Sequence, residues 1–260
     1  MEKAVALTIG PLQVRWYAIM IVCGMVLGML LCHRLARKKG FTADDLMDFA
    51  LVLIPLGIIC ARLYYVAFNW GYYSAHPEHI LAIWRGGMAI HGGILGGMLG
   101  LWLVCRHKGQ SVRLWADAMA PGLILAQAVG RWGNYFNQEA YGYATDLPWA
   151  MFIDGAYRHP TFLYESIWDV LGCLLLSLLW HKTNRRSGDV AACYLIYYSV
   201  GRFFIEHFRT DSLMLGPLQM AQVISIIGII AGLALLAVNR RLPQENNNRE
   251  NNNNEGRPRV

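Results

Sequence analysis

The stretch Gln219-Met-Ala-Gln-Val-Ile-Ser-Ile-Ile-Gly-Ile-Ile-Ala-Gly-Leu-Ala-Leu-Leu-Ala-Val238 decides the fold class of this chain. It carries no charged side chain and is followed, after one asparagine, by Arg240 and Arg241. A helix of about 20 apolar residues spans the hydrocarbon core of a bilayer. The stretch therefore predicts a transmembrane helix rather than a core helix of a soluble domain.

The composition of the whole chain agrees with several such helices. Of the 260 residues, 55% are hydrophobic and 15% are charged, and the mean hydropathy is +0.31. Soluble domains carry about 25% charged residues, so the sequence predicts an all-α, polytopic integral membrane protein with seven transmembrane helices. The seven apolar stretches are residues 14–35, 48–68, 88–105, 114–130, 161–180, 189–207 and 219–238.

Basic residues alternate between the predicted loops. Clusters of arginine and lysine follow the first, third, fifth and seventh apolar stretches, whereas the other loops carry few. Because cytoplasmic loops are enriched in basic residues, we expect the N-terminus outside the cell and the C-terminus in the cytoplasm. The basic residues behind the net charge of +6 then serve to orient the protein in the bilayer. Nucleic acid is not expected as a partner.

The chain divides into a membrane domain and a tail. Residues 1–242 are expected to form the seven-helix domain, whose long external loop, about residues 131–160, predicts a small extracytoplasmic cap. Residues 243–260 are rich in asparagine and contain almost nothing apolar. Such a segment cannot bury enough surface to fold, so we expect a disordered cytoplasmic tail.

The cysteines and histidines predict neither a disulfide nor a metal site. The six cysteines fall within or at the ends of apolar stretches, and no Cys-x-x-Cys pair is present. Buried cysteine packs as a small hydrophobic residue. The eight histidines lack the i, i+4 pairing of a zinc-binding helix.

Ionisable residues in the sixth apolar stretch form a stripe. Tyr198, Arg202, Glu206 and Arg209 are separated by three- and four-residue steps, which return to one face of a helix. A charge inside a span costs about 2.5–3.5 kcal/mol on insertion scales and marks a functional site by default. A structural Arg–Glu pair that joins two helices remains the alternative.

A histidine precedes a glycine-rich helix in the segment His91-Gly-Gly-Ile-Leu-Gly-Gly-Met-Leu-Gly100. Glycines at four-residue spacing allow close helix packing. Imidazole is also a common general base near neutral pH. His91 is therefore either a packed polar residue or a base, and both interpretations stay open.

A third polar segment follows the fourth apolar stretch: Gly130-Arg-Trp-Gly-Asn-Tyr-Phe-Asn-Gln-Glu-Ala-Tyr-Gly142. A simple turn is one interpretation. However, the planar fork of Arg131 suits the oxygens of a phosphate, and Arg202 is expected at the same membrane level. The two arginines suggest a lipid-phosphate site, and Tyr17 and His91 are predicted at that level as well.

These segments resemble the bacterial prolipoprotein diacylglyceryl transferases. Residues Gly130 to Gly142 match the signature G-R-x-G-N-[FY]-x-N-x-E-x-x-G of that family at every fixed position. The resemblance extends over about residues 10–238. Further matching blocks, in the family's order, are Arg85-Gly-Gly-Met-Ala-Ile-His91-Gly-Gly, His159-Pro-Thr-Phe-Leu-Tyr-Glu165 and Tyr198-x-x-x-Arg202-Phe-x-x-x-Glu206.

The resemblance implies a defined reaction in the first step of bacterial lipoprotein maturation. A diacylglyceryl group moves from phosphatidylglycerol to the lipobox cysteine of a prolipoprotein signal peptide, a thioether forms, and glycerol 1-phosphate leaves. It implies a site in the bacterial cytoplasmic (inner) membrane that faces the extracytoplasmic leaflet. Neither a cofactor nor a metal is implied.

The chemistry of that reaction suggests a role for each residue. Developing charge on the departing phosphate needs fixed cations, which Arg131 and Arg202 would supply, and His91 would take the thiol proton. Glu206 and Glu139 are expected to orient the arginines. The residues assigned to catalysis are His91, Arg131, Arg202, Glu206 and Tyr17, and those assigned to substrate binding are Arg131, Asn134, Asn137, Glu139, Gly142, Tyr198 and Arg202.

Two other functions use the same residue types. A lipid or anion transporter could use the arginines as a binding site, but the sequence shows no internal repeat of the kind found in many transporters. A membrane phosphatase or phosphatidyl transferase commonly needs an enzyme nucleophile or metal-binding aspartates, and no aspartate cluster is present.

Overall fold

The computed structural model describes residues 4–10, 12–182 and 186–242. The tail predicted over residues 243–260 lies outside the described residues. Three short antiparallel hairpins accompany the helices: β1 (Val5–Ile9) with β2 (Leu12–Arg15), β3 (Met151–Ile153) with β4 (Ala156–Arg158), and β5 (Met214–Leu215) with β6 (Leu218–Gln219). The helices are α1 (Trp16–Arg37), α2 (Ala43–Phe68), α3 (Trp70–Ala75), α4 (Ile90–Lys108), α5 (Val112–Asn137), α6 (Thr161–His181), α7 (Asp189–Glu206) and α8 (Met220–Arg241).

The fold is predominantly helical and the protein is a multi-pass membrane protein. Four helices, α1, α2, α6 and α8, are long and apolar enough to cross a bilayer. The remaining long helices, α4, α5 and α7, occupy the other three predicted stretches.

The fourth apolar stretch was expected to end at residue 130, but α5 continues to Asn137. Half of the polar signature is therefore helix rather than loop. Gly133 lies in this added part of α5, and a Cβ there would lie 2.7 Å from Cδ2 of Tyr17 on α1. The absence of a side chain lets α1 pack against this last part of α5.

The described residues fall into two compact units. One contains the described parts of residues 1–39 and 116–260, and the other is Gly40–Trp115. The Gly40–Trp115 unit is built on the packing of α2 against α4. A Cβ on Gly96 would lie 2.6 Å from the Leu56 carbonyl oxygen, and one on Gly100 would lie 3.2 Å from Leu53 Cα. The glycine spacing after His91 thus serves close helix packing, as the sequence predicted.

Arg62, an ionisable residue of the second apolar stretch, has a structural role within the Gly40–Trp115 unit. Its buried guanidinium donates to the carbonyl oxygens of His79, Ile80, Gly86 and Gly87 at 2.7–2.8 Å. These bonds satisfy the charge and hold the connection between α3 and α4 against α2.

Buried polar contacts join α5 to α7 and α6 to α1 in the first unit. Asp117 is fully buried and accepts hydrogen bonds at 2.8 Å from the backbone N–H groups of Gly188 and Ala191. The carboxylate thereby satisfies orphan donors at the start of α7. Trp180 donates to the Leu35 carbonyl oxygen at 3.1 Å in the same unit. Asp117 is thus explained by capping and is not needed for a binding site.

Candidate active site

Two arginines from different helices share one carboxylate in the first unit. Glu165, near the start of α6, is 5% exposed. Its carboxylate forms ion pairs with Arg131 on α5 and with Arg202 on α7. Arg202 also pairs with Glu206, one turn further along α7, at 2.6 Å between Nη2 and Oε2. The guanidinium groups of Arg131 and Arg202 therefore converge on one anionic group.

The polar stripe of α7 lies along this cluster. Tyr198, one turn before Arg202, accepts a hydrogen bond from Arg131 Nη2 at 3.0 Å. Arg209 follows Glu206 with its Nε 3.8 Å from Glu206 Oε2. The spacing predicted that these residues share a helix face, and the structure joins all of them to one network.

Local hydrogen bonds fix the three helices that carry the cluster. Ser166, beside Glu165, donates to the Ala128 carbonyl oxygen at 2.9 Å and accepts from Trp132 Nε1 at 3.2 Å. Trp168 Nε1 donates to the Tyr197 carbonyl oxygen at 3.1 Å, and the Tyr197 hydroxyl donates back to Trp168 at 2.9 Å. The first pair of bonds joins α5 to α6, and the second joins α6 to α7.

A second buried carboxylate lies beside the arginines. Asp169, one turn after Glu165, is 2% exposed. Among the described residues its Oδ2 atom has no hydrogen-bond partner. Asp169 lines a narrow crevice together with Glu165, Tyr198 and Arg202. Buried carboxylates require nearby cations, so the arginine cluster and Asp169 belong to one electrostatic unit.

Side chains of the signature segment bond to one another at the C-terminus of α5. Glu139 Oε1 accepts hydrogen bonds from Asn134 Nδ2 at 3.0 Å and from Asn137 Nδ2 at 3.1 Å. The Glu139 backbone N–H donates to the Asn134 carbonyl oxygen at 3.0 Å. The sequence interpretation gave Glu139 to an arginine, but the hydrogen bonds observed for it go to the two asparagines. The longer α5 is the reason, because it places Glu139 just beyond its C-terminus.

Gly142 joins the segment after α5 to the end of α7. Its N–H donates to the His159 carbonyl oxygen at 3.0 Å, and a Cβ would lie 2.6 Å from His159 Cβ and 2.9 Å from the Phe208 carbonyl oxygen. Tyr143 N–H donates to that same Phe208 oxygen at 3.0 Å. Only glycine fits this contact, so the position has a clear packing role.

Charged groups continue from α7 into the segment that follows it. Arg209 donates from Nε and Nη2 to the Asp211 carboxylate at 3.0 and 2.9 Å. Partial burial acts to raise the pKa of Asp211, but the bonds from Arg209 outweigh it and hold that pKa below its usual value. Asp211 therefore stays ionised at neutral pH and fixes Arg209 beside Glu206.

Tyr17 and His91 lie apart in the chain, and the structure describes each in its own unit. Tyr17, in the first turn of α1, packs against Gly133, and its neighbour Trp16 stacks on Phe136 with ring centroids 5.0 Å apart. His91, in the first turn of α4, is exposed, and its ring lies 5.8 Å from that of Tyr64. Tyr17 thus contacts the signature segment, whereas His91 contacts α2 within the Gly40–Trp115 unit.

Glu165 is the residue that sequence reasoning missed. It is the last residue of the block His159-Pro-Thr-Phe-Leu-Tyr-Glu165, to which the sequence alone assigns no role. One feature of the sequence does indicate a role for it. Glu165 and Asp169 are four residues apart in an apolar helix and so share a face. Two carboxylates on one face of a membrane helix require cationic partners on neighbouring helices.

Fold and site together define a class of protein: a multi-pass membrane protein with a partly buried arginine pair suited to an anionic group. The family model "Prolipoprotein diacylglyceryl transferase" matches residues 4–238, and the chain belongs to that family.

Several similar proteins carry the name phosphatidylglycerol–prolipoprotein diacylglyceryl transferase. The relative from Clostridioides difficile (strain 630) is 49% identical over 88% of this chain and 92% of its own. The relative from Acaryochloris marina (strain MBIC 11017) is 48% identical over 90% of this chain and 91% of its own. That from Limosilactobacillus reuteri (strain DSM 20016) is 46% identical over 89% of each chain.

Proposed function

We propose that this protein transfers the diacylglyceryl group of phosphatidylglycerol to the lipobox cysteine of prolipoprotein signal peptides. Family membership supports this activity, as do the names of relatives that are 46–49% identical. The observation that carries the proposal is the convergence of Arg131 and Arg202 on one carboxylate. No metal or cofactor is required by the reaction.

The arginine pair suits the phosphate of the lipid. Guanidinium groups bind carboxylate and phosphate oxygens through the same forked hydrogen bonds. The Glu165 carboxylate therefore marks a position where an oxyanion is held by Arg131 and Arg202. A lipid phosphate that approaches this position would share the two arginines with Glu165, while Glu206 keeps Arg202 in place.

The reaction is a displacement at carbon. The thiolate sulfur attacks the glyceryl carbon that carries the phosphate ester, so a C–S bond forms while the C–O bond breaks. The bonding electrons go to the phosphate oxygen, and glycerol 1-phosphate leaves with more negative charge. Arg131 and Arg202 would stabilise that charge most strongly in the transition state, which lowers the barrier.

The substrate thiol needs to lose a proton before attack. An unperturbed cysteine has a pKa of about 8.5, so little thiolate is present at neutral pH. We assign the proton transfer to His91, which is exposed in the first turn of α4.

The remaining predicted residues would shape the headgroup site. Tyr198 holds Arg131 through its hydroxyl, and Tyr17 packs against the helical half of the signature. Asn134, Asn137 and Glu139 form one hydrogen-bonded group at the end of α5. We propose that this group and Tyr17 contact the glycerol headgroup, and that Gly142 supports it from the adjoining segment.

The membrane arrangement is also part of the proposal. The seven long helices, α1, α2 and α4 to α8, would each span the bacterial cytoplasmic membrane, with residues 1–242 as one membrane domain. The basic loops support an orientation with the N-terminus outside and the C-terminal tail, residues 243–260, in the cytoplasm. The arginine cluster would then face the extracytoplasmic leaflet, and the segment that precedes α6 would form the cap.

One assay tests the activity directly. Purified full-length protein is incubated with phosphatidylglycerol and a lipobox peptide, and the peptide mass is measured. We expect the mass of a diacylglyceryl thioether on the cysteine, and none with phosphatidylethanolamine as the lipid or with serine in place of that cysteine. Phosphate release or lipid movement without a peptide adduct would contradict the proposal.

The orientation predicts which positions react from outside the cell. In a cysteine-free variant, single cysteines at the exposed positions Ser74 and Asp146 should react with a membrane-impermeant maleimide on intact cells. Cysteines at the exposed positions Lys38 and Lys182 should react only after the cells are opened. The reverse pattern would place the arginine cluster at the cytoplasmic side and overturn the assignment.

His91→Asn tests the base. If His91 takes the thiol proton, the rate should fall most at low pH, where the thiol ionises least without help. The rate should fall less with a peptide whose thiol is more acidic, because more of that thiol is already ionised without a base. The matched control is His107→Asn, at the exposed far end of the same helix. A pH profile for His91→Asn equal to that of the control would remove the base role.

A further inference from the structure

Three side chains that commonly bind metals lie together outside the arginine cluster, in the segment His76-Pro-Glu-His79 after α3. His76 Nδ1 lies 3.4 Å from Glu78 Oε1, and His79 Nε2 lies 3.7 Å from the same oxygen. One ligand atom from each of the three residues lies within 4.8 Å of the others. His76 and Glu78 are exposed and His79 is partly exposed, so an ion has access from the solvent.

The backbone brings these side chains together. Residues Pro77–His79 form a 3₁₀ turn in which the His79 N–H donates to the His76 carbonyl oxygen at 3.0 Å. In such a turn the side chains of residues i and i+3 eclipse each other. The two imidazole rings accordingly stack with centroids 5.5 Å apart. Pro77 restricts φ at the first position of the turn, so the pairing of the histidines follows from the local fold.

The spacing suits a small tetrahedral cation. Two ligands bound to Zn²⁺ at about 2.1 Å and at tetrahedral angles lie about 3.4 Å apart. The two distances to Glu78 Oε1, 3.4 and 3.7 Å, are close to that value. Two imidazole nitrogens and one carboxylate oxygen are a donor set that favours Zn²⁺ over Ca²⁺ or Mg²⁺.

An outer contact orients one of the histidines. The His79 Nδ1 atom lies 2.7 Å from the Tyr72 hydroxyl on α3, which leaves Nε2 directed toward Glu78. Histidine ligands in metal sites commonly bond a second residue through their other ring nitrogen, which fixes the ring orientation. Tyr72 would perform this function here.

We propose that His76, Glu78 and His79 form a binding site for Zn²⁺, with water in the fourth position. The site would close the turn after α3. The same turn is held on its other side by Arg62, which donates to the His79 carbonyl oxygen at 2.7 Å. No residue of this site is assigned to diacylglyceryl transfer, so metal binding and the transfer reaction can be tested separately.

Equilibrium dialysis of the untagged full-length protein in detergent against Zn²⁺, with elemental analysis, tests the proposal. We expect one Zn²⁺ per chain that is lost in the double variant His76→Asn/His79→Asn. Binding should be at least tenfold weaker in Glu78→Gln. His107→Asn, an exposed histidine outside the cluster, should bind as the wild type does. Equal Zn²⁺ content in the wild type and the double variant would overturn the site.

A spectrum and an activity measurement complete the test. Co²⁺ in place of Zn²⁺ should give the strong visible bands of a tetrahedral site in the wild type and in His107→Asn but not in the double variant. Thioether formation should persist in EDTA, because the proposed transfer reaction uses no metal. A loss of activity in EDTA that Zn²⁺ alone restores would show that the cluster is not separate from the reaction.

Discussion

Replacement of Arg202 by lysine should slow diacylglyceryl transfer about tenfold or more while the protein still folds and inserts. Arg202 pairs through Nη1 with Glu165 and through Nη2 with Glu206. Lysine keeps the charge but has no planar fork, so one ammonium group cannot reproduce both contacts and also bind phosphate. A loss of 1.4 kcal/mol in transition-state binding already gives a tenfold lower rate.

The lysine series separates phosphate binding from helix packing. Arg131→Lys should behave as Arg202→Lys does, because both guanidinium groups converge on the same carboxylate. The matched control is Arg186→Lys, because Arg186 donates through Nη1 to backbone carbonyl oxygens at the end of α8. The measurements are expression, melting temperature and kcat/KM for phosphatidylglycerol. Wild-type kcat/KM in both cluster variants would reduce the arginines to a structural ion pair.

Glu165→Gln should lower kcat about tenfold or more and lower KM for phosphatidylglycerol at the same time. The carboxylate holds both guanidinium groups in place, so its loss should impair their orientation toward the leaving phosphate. It also competes with the lipid phosphate for the arginines, so the neutral amide should allow tighter lipid binding. Opposite effects on kcat and on lipid affinity are the signature of a positioning residue.

A merely structural Glu165 would give a different result. Loss of a buried carboxylate would then lower the melting temperature but leave kcat and KM of the folded fraction unchanged. Asp117→Asn provides that comparison, because Asp117 is also a buried carboxylate but caps the start of α7 instead of pairing with the two arginines. Identical behaviour of the two variants, with lost stability and normal kinetics, would remove Glu165 from the site.

Residue types and spacing alone predicted much of the fold. The apolar stretches correspond to the long helices because a helix that faces lipid must be apolar along its length. The glycines after His91 predicted the close contact of α4 with α2, since only a residue without a side chain permits that approach. The hairpins were not predicted, because their strands are only two to five residues long and so give too short a pattern to read.

The site was predicted in part. The stripe of α7 was readable because helical periodicity relates Tyr198, Arg202 and Glu206 without knowledge of any other helix. The role of Glu165 was not readable, because it depends on the packing of α6 between the helices that carry Arg131 and Arg202. The approach of His76 and His79 was not predicted either, because i, i+4 is the spacing of an α-helix and this segment is a 3₁₀ turn.

The sequence by itself determined the membrane class, the predicted helices and the residues that carry charge into them, because these depend on composition and on local periodicity. Only the tertiary structure decided which charges meet. It placed Glu165 between two arginines, gave Asp117 and Arg62 to backbone groups, and directed Glu139 to the asparagines at the end of α5. The physical reason is that a buried charge must be compensated within about 4 Å. Its partner is therefore set by how the helices pack rather than by the distance between residues along the chain.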